Sequence, residues 1–271
     1  DIMGVRDTGW AMMFAETAQE AYDNTIIAFK VAEDPNVLLP VLTTLDGFVT
    51  SHAMDNCVME EDQVVKDFVG DYKPLYPLLD TENPVGHGMF ATLGNGYMKY
   101  KLTERHALDN ALEAFEKHGK EWEEITGRSF EVVDSWGAED ADYLIVVLGS
   151  CAGNARHQAR LLRAEGKKVG VVRPRIFRPF PAKQIVEACK NAKAVAVIDR
   201  SDSFGSPHAP LALEVRAAFQ DAGLQIPVSD YLAGMGGADI TLDQMGQVYA
   251  ELEQRAQGTY DGSIKYLGIE E

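Results

Sequence analysis

The stretch from Asp142 to Pro181, DYLIVVLGSCAGNARHQARLLRAEGKKVGVVRPRIFRPFP, reads as one strand, helix and returning strand, and it fixes the class of fold. Tyr143 to Leu148 is an unbroken apolar run, the pattern of a parallel strand covered on both faces. Gly149 and Ser150 end it, and Ser150 is placed to N-cap a helix from about Ala152 to Glu165. Gly166 supplies a left-handed stop, with Lys167 and Lys168 at the negative end of the helix dipole. Val169 to Val172 is the returning strand, and so short a return through a helix requires a right-handed crossover and a parallel pair.

The alternation continues toward the C-terminus. Pro181 suits the first turn of a helix to about Lys190, Ala194 to Asp199 is a strand, and Pro210 to Ala222 is a helix stopped by Gly223. Ile226 to Tyr231 is a last short strand, and Thr241 and Gln244 form a capping box for a helix to about Ala256. Four strands alternating with helices predict a doubly wound α/β domain over 137–257, followed by a C-terminal tail, 258–271.

The first residues predict only part of a domain. A helix from about Phe14 to Glu33 leads into a strand, Val37 to Leu45, and one helix with one strand cannot close a core. Position 1 is not Met, so 1–54 is expected to be the C-terminal part of a domain whose beginning has been removed or lies elsewhere. Asp46-Gly47-Phe48 ends the strand, followed by Thr50, Ser51 and His52. Ligands of parallel sheets collect beyond the carboxyl ends of strands, which makes these residues site candidates; a turn with a buried Phe anchor accounts for them equally well. Adjacent Ser51 and His52 side chains diverge in an extended chain, so no nucleophile and base pair is inferred.

Residues 55–136 read as a linker arm and a connecting helix. An acidic helix around Glu60 to Val69 precedes Pro74, Pro77 and Pro84 and Gly86, Gly88, Gly94 and Gly96, the punctuation of a linker or of an arm that wraps a neighbour. Thr103 is expected to cap a helix from about Glu104 to Thr126. Leu108, Leu112, Phe115, Trp122 and Ile125 form its apolar face, and His106 and His118 fall on a solvated one. Phe130 to Val133 is a candidate strand.

Composition excludes several functions. No apolar run approaches the roughly 18 to 20 residues that span a bilayer, and no basic-then-apolar leader opens the chain. A cytoplasmic location without membrane insertion is therefore expected. The net charge of -17 argues against nucleic acid and anionic membranes as partners. Cys57, Cys151 and Cys189 form no CxxC pair, which disfavours a disulfide framework, a zinc site or an iron-sulfur cluster held by this chain alone. The histidines show no metal-ligand spacing.

Three places could carry chemistry. The turn Gly149-Ser150-Cys151-Ala152-Gly153-Asn154 could bind an anion at a helix N-terminus, although it is not GxGxxG and such turns need small residues anyway. Cys151 there could be an activated thiol or a buried inert one. Arg173, Arg175 and Arg178, on a proline-stiffened loop, could hold a carboxylate or phosphate or form salt bridges at a subunit interface, the interface being favoured. Asp199-Arg200-Ser201 and Gly234-Met235-Gly236-Gly237 follow strands at one sheet edge and could make ligand or interface contacts.

The segments DIMGVRDTGW, LLPVLTTLDGFVTSH, GRSFEVVDSWGAEDADYLIVVLGS, LRAEGKKVGVVRPRIFRPFP, AVAVIDRSDSFG and AGMGGADIT occur in this order. They resemble the alpha subunit of 2-oxoacid:ferredoxin oxidoreductases, most closely the pyruvate enzyme, pyruvate synthase, over nearly the whole chain. The resemblance implies the C-terminal part of a thiamine-diphosphate-binding pyrimidine-type domain, then a transketolase C-terminal-like doubly wound domain. It implies oxidative decarboxylation of a 2-oxoacid with CoA and thiamine diphosphate, with electrons passing to ferredoxin. The diphosphate and Mg2+ would lie on a beta-type subunit and the iron-sulfur clusters on partner subunits, in a dimer of a heteromer with beta-, gamma- and delta-type subunits, so this chain alone would be inactive.

By the same resemblance, the Glu that activates the aminopyrimidine and an Arg for the substrate carboxylate precede Asp1. Asp1, Arg6, Thr8 and Gly9 match the DxMxxRxTG motif that follows and are the candidate cofactor-binding residues; holding a turn at the domain interface is the alternative for Arg6 and Thr8. Two loops depart from the family: Ala238 replaces a common Arg, and Pro207, His208 and Ala209 replace glycine-rich sequence. The competing readings are a non-catalytic assembly module and a nucleotide-binding domain built on the Gly149 turn.

Overall fold

The computed structural model describes residues 1–88, 90–91, 94–259 and 263–269; parts of the predicted arm and tail lie outside them. After a short 3-10 turn, Ile2–Val5, the elements run β1 Ala11–Phe14, α1 Ala18–Ala32, β2 Val41–Thr44, the single turn α2 Val49–His52, α3 Asp62–Val69 and α4 Gly96–Thr126. They continue with β3 Val133–Trp136, β4 Tyr143–Val147, α5 Cys151–Ala164, β5 Val169–Pro174, β6 Ile176–Arg178, α6 Ala182–Cys189 and β7 Ala194–Asp199. The last are α7 Pro210–Asp221, β8 Val228–Leu232, α8 Leu242–Ala256 and β9 Ile264–Tyr266.

The predicted alternation forms a six-stranded sheet in the order β3-β5-β4-β7-β8-β9. Strands β4, β5, β7, β8 and β9 are parallel to their neighbours, while β3 pairs antiparallel with β5. The sheet thus takes in two strands, β3 and β9, besides the four read from the apolar runs. Gly166 and Gly223 stop α5 and α7 at φ +88° and +70°. The capping box of α8 is complete: the Gln244 N–H donates to Thr241 Oγ1 and the Thr241 N–H to Gln244 Oε1.

The first unit closes its core with borrowed parts. The predicted helix from Phe14 begins instead at Ala18, because Ala11–Phe14 is a strand and Thr17 caps the helix by accepting the Glu20 N–H at 3.1 Å. β1 lies between β2, parallel to it, and β6, antiparallel, so the RIFRP segment of the second unit completes the first unit's sheet. Met13, Ile27, Val31, Phe68, Phe115, Trp122 and Ile176 pack as one core. A lone helix and strand could not have done this; α3, α4 and β6 supply the missing faces.

Several other expectations are corrected. α4 starts at Gly96, so Thr103 is not its cap; the Thr103 hydroxyl donates to the Lys99 carbonyl inside the helix. Ile125 is exposed, whereas His118 is buried, because Asp34 and Glu121 carboxylates lie 3.0 Å from its two ring nitrogens. Phe130 is no strand residue but a core side chain seated over Gly119, where a Cβ would lie 2.0 Å from its ring.

Candidate functional site

The order of the large sheet reverses at β4: the chain passes from β4 outward to β5 on one side and reaches β7 on the other. Crevices form beyond the carboxyl ends of strands at such a switch point. Here the crevice is capped by the first unit. The cleft, about 300 Å³, is lined by Asp1, Ile2, Met3, Phe14 and Ala15 from the N-terminal turn and β1, and by Thr44 to Gly47 after β2. From the second unit come Leu148 and Gly149 after β4, Asp199 to Ser201 after β7, and Gly234 to Gly237 after β8. The DGF, LGS, DRS and GMGG segments, scattered in sequence, meet at one place.

Asp46 holds that place together. Its carboxylate accepts the Ser150 N–H at 2.5 Å and Arg200 Nη1 at 2.6 Å, and Arg200 Nη2 donates to the Gly234 carbonyl at 3.3 Å. Gly149 sits at φ +64°, and a Cβ there would lie 2.7 Å from the Asp46 carboxylate, so a side chain at this position would expel the contact. Ser150 itself has helical dihedrals and caps nothing with its side chain. The predicted cap is therefore replaced by Asp46, which occupies the positive helix end that a nucleotide phosphate would need. Burial, with Asp46 nearby, pushes the Cys151 thiol up to about 12, the state of an inert thiol rather than an activated one.

Beyond Asp46, Phe48 adopts φ +65° and its ring stacks on His52 at 5.1 Å between centroids. It is 72% exposed, which corrects the buried-anchor reading. Ser51 Oγ lies 2.7 Å from His52 Nδ1 and accepts the Phe48 N–H. These side chains converge because the segment is a helical turn and not extended, and the pair serves to close that turn.

Arg173 and Arg175 do not await a ligand or a partner subunit. Both reach across to α1: Glu20 accepts Arg173 Nη1 at 3.0 Å and Nη2 at 2.9 Å, and pairs with Arg175. Arg173 Nε lies 3.1 Å from the Glu16 carboxylate as an ion pair, Glu16 also accepts Arg156 Nη2, and Arg156 Nη1 donates to Asp134 at 2.6 Å. Burial opposes ionisation of Glu20, but Arg175 and Arg173 outweigh it and hold the carboxyl below its ordinary range. Arg178 joins Glu214 at 2.7 Å and the Arg6 carbonyl at 3.0 Å. The three arginines clamp the two units of one chain, Arg173 and Arg178 from β5 and β6 and Arg175 from the bend between them.

At the back of the cleft Asp199 accepts the Leu211 and Ala212 N–H groups at the start of α7, while Asp230 accepts the Ala209 N–H and lies 3.3 Å from His208 Nδ1. Burial and the Asp230 carboxylate push Asp199 up to about 8. The Pro207-His208-Ala209 departure thus supplies a local partner for a buried acid.

Of the four candidate residues, Asp1 lines the cleft. Arg6 Nη1 donates to the Met3 carbonyl at 2.8 Å and the Thr8 hydroxyl to the Val5 carbonyl at 2.7 Å, so their polar groups tie the turn that presents Asp1. Gly9, at φ +91°, lies against Glu104 of α4, 1.7 Å from where a Cβ would stand. Asp46 was a site candidate in the sequence, whereas Ile2, Met3 and Phe14 are cleft residues that it did not single out. Their signal was positional, each lying beside a motif or after a strand.

Two α/β units meeting at the carboxyl ends of their strands, with clefts lined by residues of both, define a bipartite α/β protein. Residues 1–121 match the family "Pyruvate flavodoxin/ferredoxin oxidoreductase, thiamine diP-bdg", and 141–245 match "Pyruvate:ferredoxin oxidoreductase core domain II". Pyruvate synthase subunit PorA of Thermotoga maritima is 39% identical over 272 aligned residues, covering 100% of this chain and 68% of that one. Ketoisovalerate oxidoreductase subunit VorA of Pyrococcus horikoshii is 34% identical, covering 99% and 68%. Among solved structures, 2-oxoglutarate:ferredoxin oxidoreductase from Magnetococcus marinus shares the fold, with a TM-score of 0.59 at 16% identity over 90% of this chain and 42% of that one. The chain belongs to the 2-oxoacid:ferredoxin oxidoreductase alpha-subunit family, as a thiamine-diphosphate-binding portion followed by the doubly wound core domain II. Among the described residues no helix is long and apolar enough to cross a membrane.

Proposed function

We propose that the chain is the alpha subunit of a thiamine diphosphate-dependent pyruvate:ferredoxin oxidoreductase, which converts pyruvate and CoA to acetyl-CoA and CO2 and delivers electrons to ferredoxin through iron-sulfur clusters on partner subunits. What carries the reading is that the turns following four strands meet at one cleft in a chain 39% identical, along its whole length, to a pyruvate synthase subunit.

The cleft fits part of the cofactor. Ile2, Met3, Phe14 and Ala15 give an apolar wall for a flat heteroaromatic ring, and Asp1 presents a carboxylate at its rim. Asp46 and Asp199 are engaged with the second unit and shape the cleft from below. Bound, the cofactor would act as an electron sink at the carbon that loses CO2. The chain's own part is to hold Asp1 in place through Arg6 and Thr8, to admit α4 at Gly9 and to close the cleft through Asp46. Asp1, Arg6, Thr8 and Gly9 are accordingly assigned to the cofactor end of the first domain, 1–54. The arm and connecting helix, 55–136, link it to the doubly wound domain, 137–257, and the tail, 258–271.

The diphosphate with its Mg2+ is assigned to a beta-type subunit and the clusters to partner subunits of a cytoplasmic complex that includes beta-, gamma- and delta-type subunits. A branched 2-oxoacid is the second reading, favoured by the ketoisovalerate relative at 34% identity. The ratio of kcat/KM for pyruvate and ketoisovalerate, measured on the native complex, decides between them: a ratio above 1 supports pyruvate, and one below 1 overturns it.

A further inference from the structure

We propose that Asp199 stands at the floor of the cleft as a neutral acid, its free oxygen donating a hydrogen bond to an acceptor atom of the bound ligand. Asp199 of β7 and Asp230 of β8 share one face of the large sheet, since Asp230 pairs in register with Val197, two residues before Asp199. Both are sealed beneath the start of α7, exposed to only 2% and 0%. Asp230 Oδ2 accepts the Ala209 N–H at 3.0 Å, and Asp199 Oδ2 accepts the Leu211 and Ala212 N–H groups at 3.0 and 3.3 Å. Among the described residues the other two oxygens have no such partner. Asp230 Oδ1 is buried without a hydrogen bond, and Asp199 Oδ1 belongs to a residue that lines the cleft.

Two carboxyls side by side in a sealed site do not both stay ionised, so the pair retains a proton. Burial and the Asp230 charge push Asp199 up to about 8. Burial also raises Asp230, but there the Ala209 amide, His208 Nδ1 at 3.3 Å and Arg216 of α7 favour the charged form. The proton is thereby left on Asp199. The two α7 amides and Arg6 of the N-terminal turn oppose this without outweighing burial. A neutral carboxyl accepts through its carbonyl oxygen, here the one held by two amides, and donates through the other, whereas a carboxylate only accepts. The floor of the cleft therefore prefers a ligand that brings a lone pair to it. An acceptor on the cofactor ring and one on the 2-oxoacid share that chemistry.

The choice of ligand rests on the function proposed above; the proton does not, and infrared difference spectra of the native complex stripped of cofactor keep the two apart. A protonated-carboxyl band should be present at about pH 6, two units below the Asp199 value, fade with a midpoint of about 8, and be missing in Asp199→Asn. Asp230→Asn removes the neighbouring charge and should lower that midpoint by about one pH unit, a tenfold fall in proton affinity. Thiamine diphosphate and pyruvate are then added separately, and the one that shifts the band is the source of the acceptor. A spectrum with no band that Asp199→Asn removes, a midpoint unmoved in Asp230→Asn, or a band that neither compound shifts would each overturn the proposal. Should Asp199→Asn fail to assemble, the midpoint in Asp230→Asn and the ligand-induced shift in the native complex still decide. A complex that reduces dye with pyruvate yet shows no such band keeps the catalytic reading and loses this one.

Discussion

Asp46 of the first unit lies 2.6 Å from Arg200 and 2.5 Å from the Ser150 N–H of the second, so one carboxylate joins the ends of β2, β4 and β7 at the mouth of the cleft. Removing it strands a guanidinium and a helix-end amide together. Asp46→Ala should cost about 1–3 kcal/mol, read as a lower thermal midpoint of the complex, with a larger fractional loss of activity than of folded protein. Asp46→Asn keeps an acceptor for Ser150 and should fall between. A midpoint unchanged in Asp46→Ala would deny the contact its role.

Glu20 answers two buried guanidiniums at once, those of Arg173 and Arg175. Loss of a buried partner leaves its counter-charge uncompensated, so Glu20→Gln should destabilise by about 3–5 kcal/mol. Chemical denaturation should show it, and simultaneous replacement of Glu20 and both arginines by apolar residues should recover part of the loss.

Asp199 gives a pH dependence of definite sign. Its folded pKa, about 8, stands above the unfolded value of 3.8. Protonation therefore favours the folded state, with the contribution complete below the unfolded value and lost as pH rises through about 8. Between pH 5 and 8 this group alone should lower stability by up to about 1.4 kcal/mol per pH unit. Asp199→Asn, which keeps an acceptor for the Leu211 and Ala212 amides, should flatten that slope. Thermal midpoints across this range check it, and identical slopes in the two proteins would refute it.

Gly9 tests what kind of residue the DxMxxRxTG motif contains. At φ +91° and against Glu104, Gly9→Ala suffers both backbone strain and a clash, about 1–3 kcal/mol together. Adding Glu104→Ala should restore the steric part but not the backbone part. Recovery of thermal stability and of thiamine diphosphate affinity together would mark Gly9 as an approach point for α4.

Much of the second unit is legible in the chain because its strands are covered on both faces and punctuated by glycine: Ala194–Asp199 emerges with the bounds read from its apolar run. β1 is not legible, since Ala-Met-Met-Phe is four residues long and Phe14 falls at helical spacing with the helix that follows. The start of α4 is hidden by Gly94-Asn-Gly, which reads as loop, and His118 is hidden because Asp34, which buries it, is remote in sequence. The cleft was half visible. Its turns were marked by their place after strands, but the pairing of Asp46 with Arg200, and of Glu20 with Arg173, is set by how the two units dock, which no local pattern encodes.

Oxidoreductase activity is best measured as dye reduction by the native, anaerobically purified complex, omitting pyruvate, CoA and thiamine diphosphate in turn. Activity should require all three and return when the omitted component is restored. An intact complex that reduces no dye with any 2-oxoacid would contradict it and leave an assembly role for this chain.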